Sequence, residues 1–315
     1  MDTEFNETYI TLDGYVELHQ YKHVYFLIIF IAYVLIICSN FTIVCVIWMH
    51  KHLHKPMYIF IAALLLNSVL FSTVIYPKLL TDFLSENQII SELRCRFQGF
   101  MYYSLGGSEF MLLAVMAYDR YVCICKPLQY ATIMTKTNII VSLVLAWLIP
   151  AGHLVGSLVM TMNWKLCRFT LNGIFCNNAI FSLFCVNSRA QYIFGVIILI
   201  NVTFIPMLFI VFTYIKILII SFRSSKQVQM KATQTCLPHL LVLITFSCLC
   251  AFDVIIIRIE YNFPKTVKLV LILQLVLYHP LFNPIIYGLK MKEIKELLKR
   301  MFCPAKLNLC SKAGA

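Results

Sequence analysis

The stretch Met116-Ala117-Tyr118-Asp119-Arg120-Tyr121-Val122-Cys123-Ile124-Cys125-Lys126-Pro127-Leu128-Gln129-Tyr130 decides how this chain is read. It sets an acid beside an arginine at the end of a long apolar segment. A charge inside a membrane is expensive, so an ionisable residue there marks a functional site. That reading first requires that the segment spans a membrane, and composition settles the point. The 315 residues are 61% hydrophobic and 13% charged, with a mean hydropathy of +0.83. Soluble domains carry about 25% charged residues. A chain this apolar lacks the polar side chains to cover a soluble surface.

A membrane span needs about 20 mostly apolar residues. Runs of that kind fall near 24–48, 58–80, 98–118, 138–160, 192–220, 237–257 and 267–288. The expectation is an all-α membrane protein, a seven-transmembrane helix bundle, built as a single domain. It divides into an extracellular tail (1–23), the bundle (24–288), and an amphipathic eighth helix with a cytoplasmic tail (289–315). No cleavable signal peptide is expected, because the first 23 residues are polar and acidic and the first apolar run is too long for one.

Charge gives the orientation. With the N-terminus outside, the inner segments hold 16 of the 26 basic residues against three acids, and the outer segments hold ten against nine. This asymmetry satisfies the positive-inside rule. The net charge of +12 is therefore a topology signal, and nucleic acid is not an expected partner. Asn6-Glu7-Thr8 is a glycosylation sequon in the proposed outer tail. Asn40-Phe41-Thr42 and Asn201-Val202-Thr203 match the same pattern but lie inside spans. Cys95, Cys167, Cys176 and Cys185 fall on the outer side, where three pairings are open to them. No pair of cysteines has zinc spacing on a loop, and no nucleophile–base pair or metal cluster points to an enzyme. A transporter would favour inverted repeats, which the sequence lacks.

The opening stretch reads almost letter for letter like the M-A-Y-D-R-Y-V-A-I-C-x-P-L-x-Y signature of olfactory receptors, the largest branch of rhodopsin-like G-protein-coupled receptors. Cys123 departs from it, where the family usually has Ala. Further strings resemble the same family. Leu53-His54-Lys55-Pro56-Met57-Tyr58 matches its first inner loop. Lys231-Ala232-Thr233-Gln234-Thr235-Cys236-Leu237-Pro238-His239-Leu240 is similar to K-A-F-S-T-C-x-S-H-L, with Pro238 for the usual serine. Pro280-Leu281-Phe282-Asn283-Pro284-Ile285-Ile286-Tyr287 holds the N-P-x-x-Y motif. The short ends and Leu64-Leu65-Leu66-Asn67-Ser68-Val69-Leu70-Phe71-Ser72 look more like fish receptors than mammalian ones.

The resemblance implies roles. Asp119, Arg120, Tyr121, Tyr214, His239, Asn283, Pro284 and Tyr287 would form the activation switch and the G-protein-coupling end. Phe246-Ser247-Cys248 stands where many members have F-Y-G, so the usual tyrosine switch is absent. Asn40, Ser68, Glu109 and Asn283 would form a mid-membrane polar cluster in which a sodium ion or a proton neutralises Glu109. No other metal or cofactor is expected. The middle loop cysteine would pair with span three, giving Cys95–Cys176 and Cys167–Cys185.

The ligand would sit between spans three, five, six and seven, against Tyr102, Tyr103, Gly106, Gly107, Ile198, Val202, Cys250, Asp253 and Val254. Tyr102 holds the place of the aspartate of amine receptors. The implied partners are a small-molecule odorant, a heterotrimeric G protein of the stimulatory olfactory type that raises cyclic AMP, and membrane lipid. The implied location is the plasma membrane. The alternative within the same fold is a receptor for a non-odorant metabolite. Past span seven, Met291, Ile294, Leu297, Leu298 and Met301 recur at helical spacing among lysines, the pattern of a helix lying on an anionic leaflet. Cys303 follows as a candidate palmitoylation site or a plain cysteine.

Overall fold

The computed structural model describes residues 8–15, 18–223, 226–258 and 265–302. The side chains of 18–20, 227–229, 231–235, 252–258, 265–268, 270, 271, 275 and 302 are not described. Asn6, Cys303 and the side chains of Asp253, Val254 and residues 231–235 thus lie outside the described residues.

Among the described residues seven long helices form the bundle: α1 (Leu18–Met49), α2 (Pro56–Leu84), α3 (Glu92–Cys125), α4 (Lys136–Thr161), α5 (Arg189–Phe222), α6 (Lys226–Arg258) and α7 (Lys265–Lys290). The short α8 (Lys292–Phe302) follows. Helix starts follow local chemistry. Pro56 opens α2, where its missing N–H costs nothing. Thr135 caps α4 by accepting from the Asn138 N–H, and Ser188 caps α5 by accepting from the Gln191 N–H.

Burial sorts the helices. In α2 and α3, 61% of the most apolar stretch is buried, against 17% in α4 and α5. So α2 and α3 are central, and α4 and α5 turn apolar side chains such as Val155, Leu208 and Phe212 outward. A helix apolar all round, with its outer face uncovered, is suited to lipid.

Two prolines shape the bundle. Pro284 has no N–H for the Pro280 carbonyl one turn earlier. Asn40 of α1 supplies the missing donor, its Nδ2 lying 2.9 Å from that oxygen. In α5 the turn Ile200–Phe204 is a π-turn, with the Ile205 N–H donating to the Ile200 carbonyl, just before Pro206.

Residues 8–15 are more than a polar tail. Tyr9–Leu12 (β1) is the central strand of a small sheet with Ile89–Ser91 (β2) and Thr170–Leu171 (β3), in the order β2-β1-β3. It pairs antiparallel with β2 (Ile10 opposite Ile90) and parallel with β3 (Leu12 opposite Leu171). Ile10 and Leu12 are buried, the period-2 pattern that a strand shows and a helix scan overlooks. The Tyr15 hydroxyl then lies 3.0 Å from both Asp82 Oδ2 of α2 and the Ile174 carbonyl. Burial, then the Asp82 carboxylate, push this phenol well above its usual pKa, so it stays a donor. Gly14 and Gly173 are in backbone contact, and a Cβ on Gly14 would come within 2.5 Å of the Gly173 carbonyl carbon.

At the opposite end Met291, just before α8, and Ile294 of α8 pack inward, and Lys292, Lys295, Lys299 and Arg300 are left to solvent. Lys55 Nζ, in the first loop, lies 3.3 Å from Glu293 Oε1.

Candidate functional site

A cavity of about 1150 Å³ lies between α3, α4, α5 and α6, below the long loop that joins α4 to α5. Both expected disulfides frame it. Cys95–Cys176 ties the loop to α3, and Cys167–Cys185 closes the loop on itself. The loop then folds inward: the Cys176 N–H donates to Gln98 Oε1 at 2.9 Å, and Phe175 packs 5.1 Å from the ring of Tyr102.

Tyr102, Tyr103, Gly106, Gly107, Ile198, Val202 and Cys250 all line the cavity. Asp253 and Val254, as noted, fall outside the described side chains. One wall differs from expectation. Among the described residues none from α7 lines the cavity, whereas Pro150, Leu154, Ser157 and Thr161 of α4 do. Phe110 and Phe246 meet there at 4.7 Å between ring centroids.

The two glycines play different parts. A Cβ on Gly106 would meet nothing within 4 Å, so Gly106 leaves open space. A Cβ on Gly107 would strike Val202 Cγ1 at 2.5 Å and Pro150 Cβ at 2.9 Å. Gly107 is there to let α3, α4 and α5 approach closely.

A buried polar cluster occupies mid-bundle. Glu109 is 1% exposed. Its Oε1 accepts from Asn283 Nδ2 at 3.1 Å and lies 3.1 Å from His279 Nε2. Its Oε2 accepts from Asn67 Nδ2 at 3.0 Å. Asn283 Nδ2 also donates to Ser68 Oγ at 2.9 Å, and Trp147 Nε1 donates to Asn67 Oδ1 at 3.0 Å. So Ser68, Glu109 and Asn283 come together, but Asn40 does not join them, because the Pro280 carbonyl and the Ile36 carbonyl take its donors. Asn67 and His279 stand in its place. His279 was legible in principle, as an ionisable residue one helical turn before Asn283 on the same face.

At the α8 end of the bundle, Asp119 and Arg120 are both buried and paired, with Arg120 Nε 2.9 Å from Asp119 Oδ2. The Tyr130 hydroxyl, from the short loop helix after α3, donates to the other carboxylate oxygen at 2.7 Å. Burial, then the Asp119 charge, push the Tyr130 phenol above its usual pKa and keep it a donor. Tyr214 of α5 is hydrogen-bonded to His239 Nδ1 of α6. Tyr287 is fully buried beside them, and its hydroxyl has no hydrogen-bond partner. Tyr121 packs half-buried against the core.

Comparison with known proteins agrees with this architecture. Squid rhodopsin superposes with a TM-score of 0.70 at 18% identity, covering 89% of this chain and 81% of that one, a likeness of fold. Olfactory receptor 1500 of Rattus norvegicus is 35% identical over 298 residues, 91% of this chain and 93% of its own length. Olfactory receptor 4K3 of Homo sapiens is 33% identical over 282 residues, 88% and 87% respectively. The olfactory receptor-like protein COR2 of Gallus gallus is 32% identical over 289 residues, 88% and 89%. The family model described as "Olfactory receptor" matches residues 29–305. That span takes in the cavity, the Glu109 cluster and the Asp119–Arg120 pair alike, and the chain belongs to the olfactory receptor family, as a multi-pass protein of the plasma membrane.

Proposed function

We propose that this chain is an odorant receptor that binds a small molecule in the cavity between α3, α4, α5 and α6 and passes the signal to a heterotrimeric G protein at the Asp119–Arg120 end. The observation that carries the reading is the cavity itself. It is large enough for a small organic ligand, and its walls are mostly aromatic and aliphatic. Such a site is the default ligand position in a helix bundle. The family is one of receptors rather than enzymes.

In this reading the disulfide-bearing end faces outward with the N-terminus and a glycosylated Asn6, and α8 lies on the inner leaflet. Asp119 and Tyr130 hold Arg120 in the resting arrangement. A ligand that prefers the state with Arg120 released shifts the population toward it, and the G protein prefers the same state. The stimulatory olfactory G protein and cyclic AMP are the proposed readout.

The Glu109 cluster is the proposed mid-membrane site for a sodium ion or a proton. Asn283 Oδ1 is buried there with no hydrogen-bond partner, which suits a cation near the carboxylate. Asp253 remains a proposed ligand contact.

The test is a cyclic AMP assay in cells that express the full chain with the olfactory G protein, against a panel of odorants, beside Gly106→Phe. Filling the open space at Gly106 should abolish responses while leaving receptor at the surface. Unchanged responses in that variant would remove the cavity from the account.

A further inference from the structure

A second, smaller cavity of about 390 Å³ lies at the disulfide-bearing end of the bundle. It draws its walls from the N-terminal segment at Thr8, the first residue of α3 at Glu92, and the loop after α4. Trp164 lines both this outer cavity and the large one. An ion pair also joins the two, because Glu92 lines the outer cavity and Arg96 the large one. Arg96 Nε and Nη2 both donate to Glu92 Oε1, at 2.9 and 2.7 Å. Arg96 Nη1 donates to the Thr161 carbonyl at 3.0 Å, and Nη2 lies 3.4 Å from the Trp164 carbonyl. The guanidinium carbon is 4.5 Å from the ring centroid of Phe184, which lines the large cavity. These distances fix the charged group at the boundary between the two spaces.

Local chemistry explains why Arg96 rests there. Thr161 ends α4, and the last carbonyls of a helix lack N–H partners and carry partial negative charge. The pair is nevertheless reached by water, with the Arg96 and Glu92 side chains 14% and 27% exposed. A pair in that setting is held far less firmly than a fully buried one. The backbone around it is pinned. The Cys185 N–H donates to the Lys165 carbonyl at 3.0 Å and the Cys167 N–H to the Leu183 carbonyl at 2.8 Å, in a hairpin that Cys167–Cys185 crosslinks. The Thr11 N–H donates to the Phe169 carbonyl at 2.7 Å, and the Glu92 N–H to the Thr8 carbonyl at 2.9 Å. Parting the boundary through the backbone breaks several of these bonds together. Swinging Arg96 away from Glu92 breaks the ion pair and leaves the backbone in place.

We propose that the outer cavity is an entry vestibule for the large one, and that the Glu92–Arg96 pair, with Trp164, is the gate between them. A small molecule arriving from water occupies the vestibule first and passes inward when the pair parts. The pair then sets how fast the large cavity fills and empties, the gating role that side chains and loops at the mouth of a site perform. That an odorant takes this route rests on the large cavity being the ligand site. Access through the gate is measurable without an odorant.

The test uses intact cells expressing the full chain with Gly106→Cys, which places a thiol where a Cβ meets no atom within 4 Å. The probes are two water-soluble methanethiosulfonates, one carrying a trimethylammonium group and the other a sulfonate. The rate at which the new thiol is consumed reports entry into the large cavity. The chain without Gly106→Cys, whose Cys250 also lines that cavity, gives the background. Adding Glu92→Gln should speed both reagents by about tenfold, the scale of hydrogen bonds to a charged group. Arg96→Gln should do the same, and serves if Glu92→Gln does not reach the surface. Asn163→Trp, which fills the vestibule from its outer wall, should slow both reagents. Rates left unchanged by the pair variants would overturn the gate. So would opposite effects on the two reagents, which would mean that only the local field had changed. An unchanged rate in Asn163→Trp would overturn the vestibule as the route. Gly106→Phe in the cyclic AMP assay judges the ligand site separately. If it leaves responses unchanged while Glu92→Gln still speeds labelling, the gate stands and the large cavity is not the odorant site.

Discussion

The imidazole of His279 lies 4.2 Å, centroid to centroid, from the ring of Phe246. Phe246 lines the cavity, and His279 Nε2 lies 3.1 Å from Glu109 Oε1. A ligand pressing on Phe246 is therefore two contacts from the carboxylate that holds Asn283 of α7. The path joins packed side chains to a hydrogen-bonded cluster, the kind of contiguous route along which two arrangements can be coupled. His279→Ala should leave surface expression near the wild-type level and raise the ligand concentration needed for half-maximal cyclic AMP by about tenfold, the scale of a coupling of 1–3 kcal/mol. Superimposable concentration–response curves would remove His279 from the route.

Arg120→Ala should abolish the cyclic AMP response. The pair with Asp119 would be lost, but Arg120 stands at the end of α3, and the core around Glu109 does not depend on it. Surface labelling should stay mostly intact. A normal response in a surface-expressed variant would sink the role assigned to Arg120.

Tyr130→Phe removes one of the two groups that hold Asp119. Because the phenol is kept protonated by burial and by the carboxylate, it is a donor throughout the physiological pH range, and the effect should not depend on pH. A hydrogen bond to a charged group contributes roughly 1.5–3 kcal/mol. Ligand-free cyclic AMP should rise, severalfold at the least. A basal signal no higher than wild type at equal surface level would show that Tyr130 does not restrain the pair.

Gly106 and Gly107 should separate cleanly. Gly107→Ala forces Val202 and Pro150 apart, and overpacking of this kind costs about 1–3 kcal/mol. The variant should lose thermal stability in detergent and reach the surface poorly. Gly106→Ala meets no atom within 4 Å and should express normally, while disfavouring the bulkiest ligands. Equal behaviour of the two would contradict the geometry.

Tyr15→Phe tests whether the N-terminal segment is structural. It removes the hydroxyl shared by Asp82 and the Ile174 carbonyl, and leaves the Asp82–Lys78 pair in place. A loss of about 1 kcal/mol is expected, read as a lowered melting temperature of the purified receptor. An unchanged melting temperature would mean that the tail rests on the bundle without bracing it.

The sequence by itself determined the class, the seven spans, the amphipathic eighth helix and the family. Each follows from local information. Hydrophobic runs are read by length, and motifs such as Asp119-Arg120-Tyr121 and Asn283-Pro284 are contiguous. Resemblance also supplied both cysteine pairings and part of the cavity wall on α3 and α5, namely Tyr102, Tyr103, Gly106, Gly107, Ile198 and Val202. Only the tertiary structure decided which polar groups meet. Asn40 looked like a partner for Glu109 but turned to the Pro280 carbonyl, because Pro284 had left that oxygen without a donor. His279, Asn67 and Trp147 entered the cluster from three different helices. The strand at Tyr9–Leu12 was hidden because its partners lie about 80 and 160 residues away, and four alternating residues carry little signal until both are in place. Gln191 was overlooked for a related reason. One glutamine in a polar helix start means little until Ser157, from another helix, accepts from its amide at 2.6 Å and ties α5 to α4.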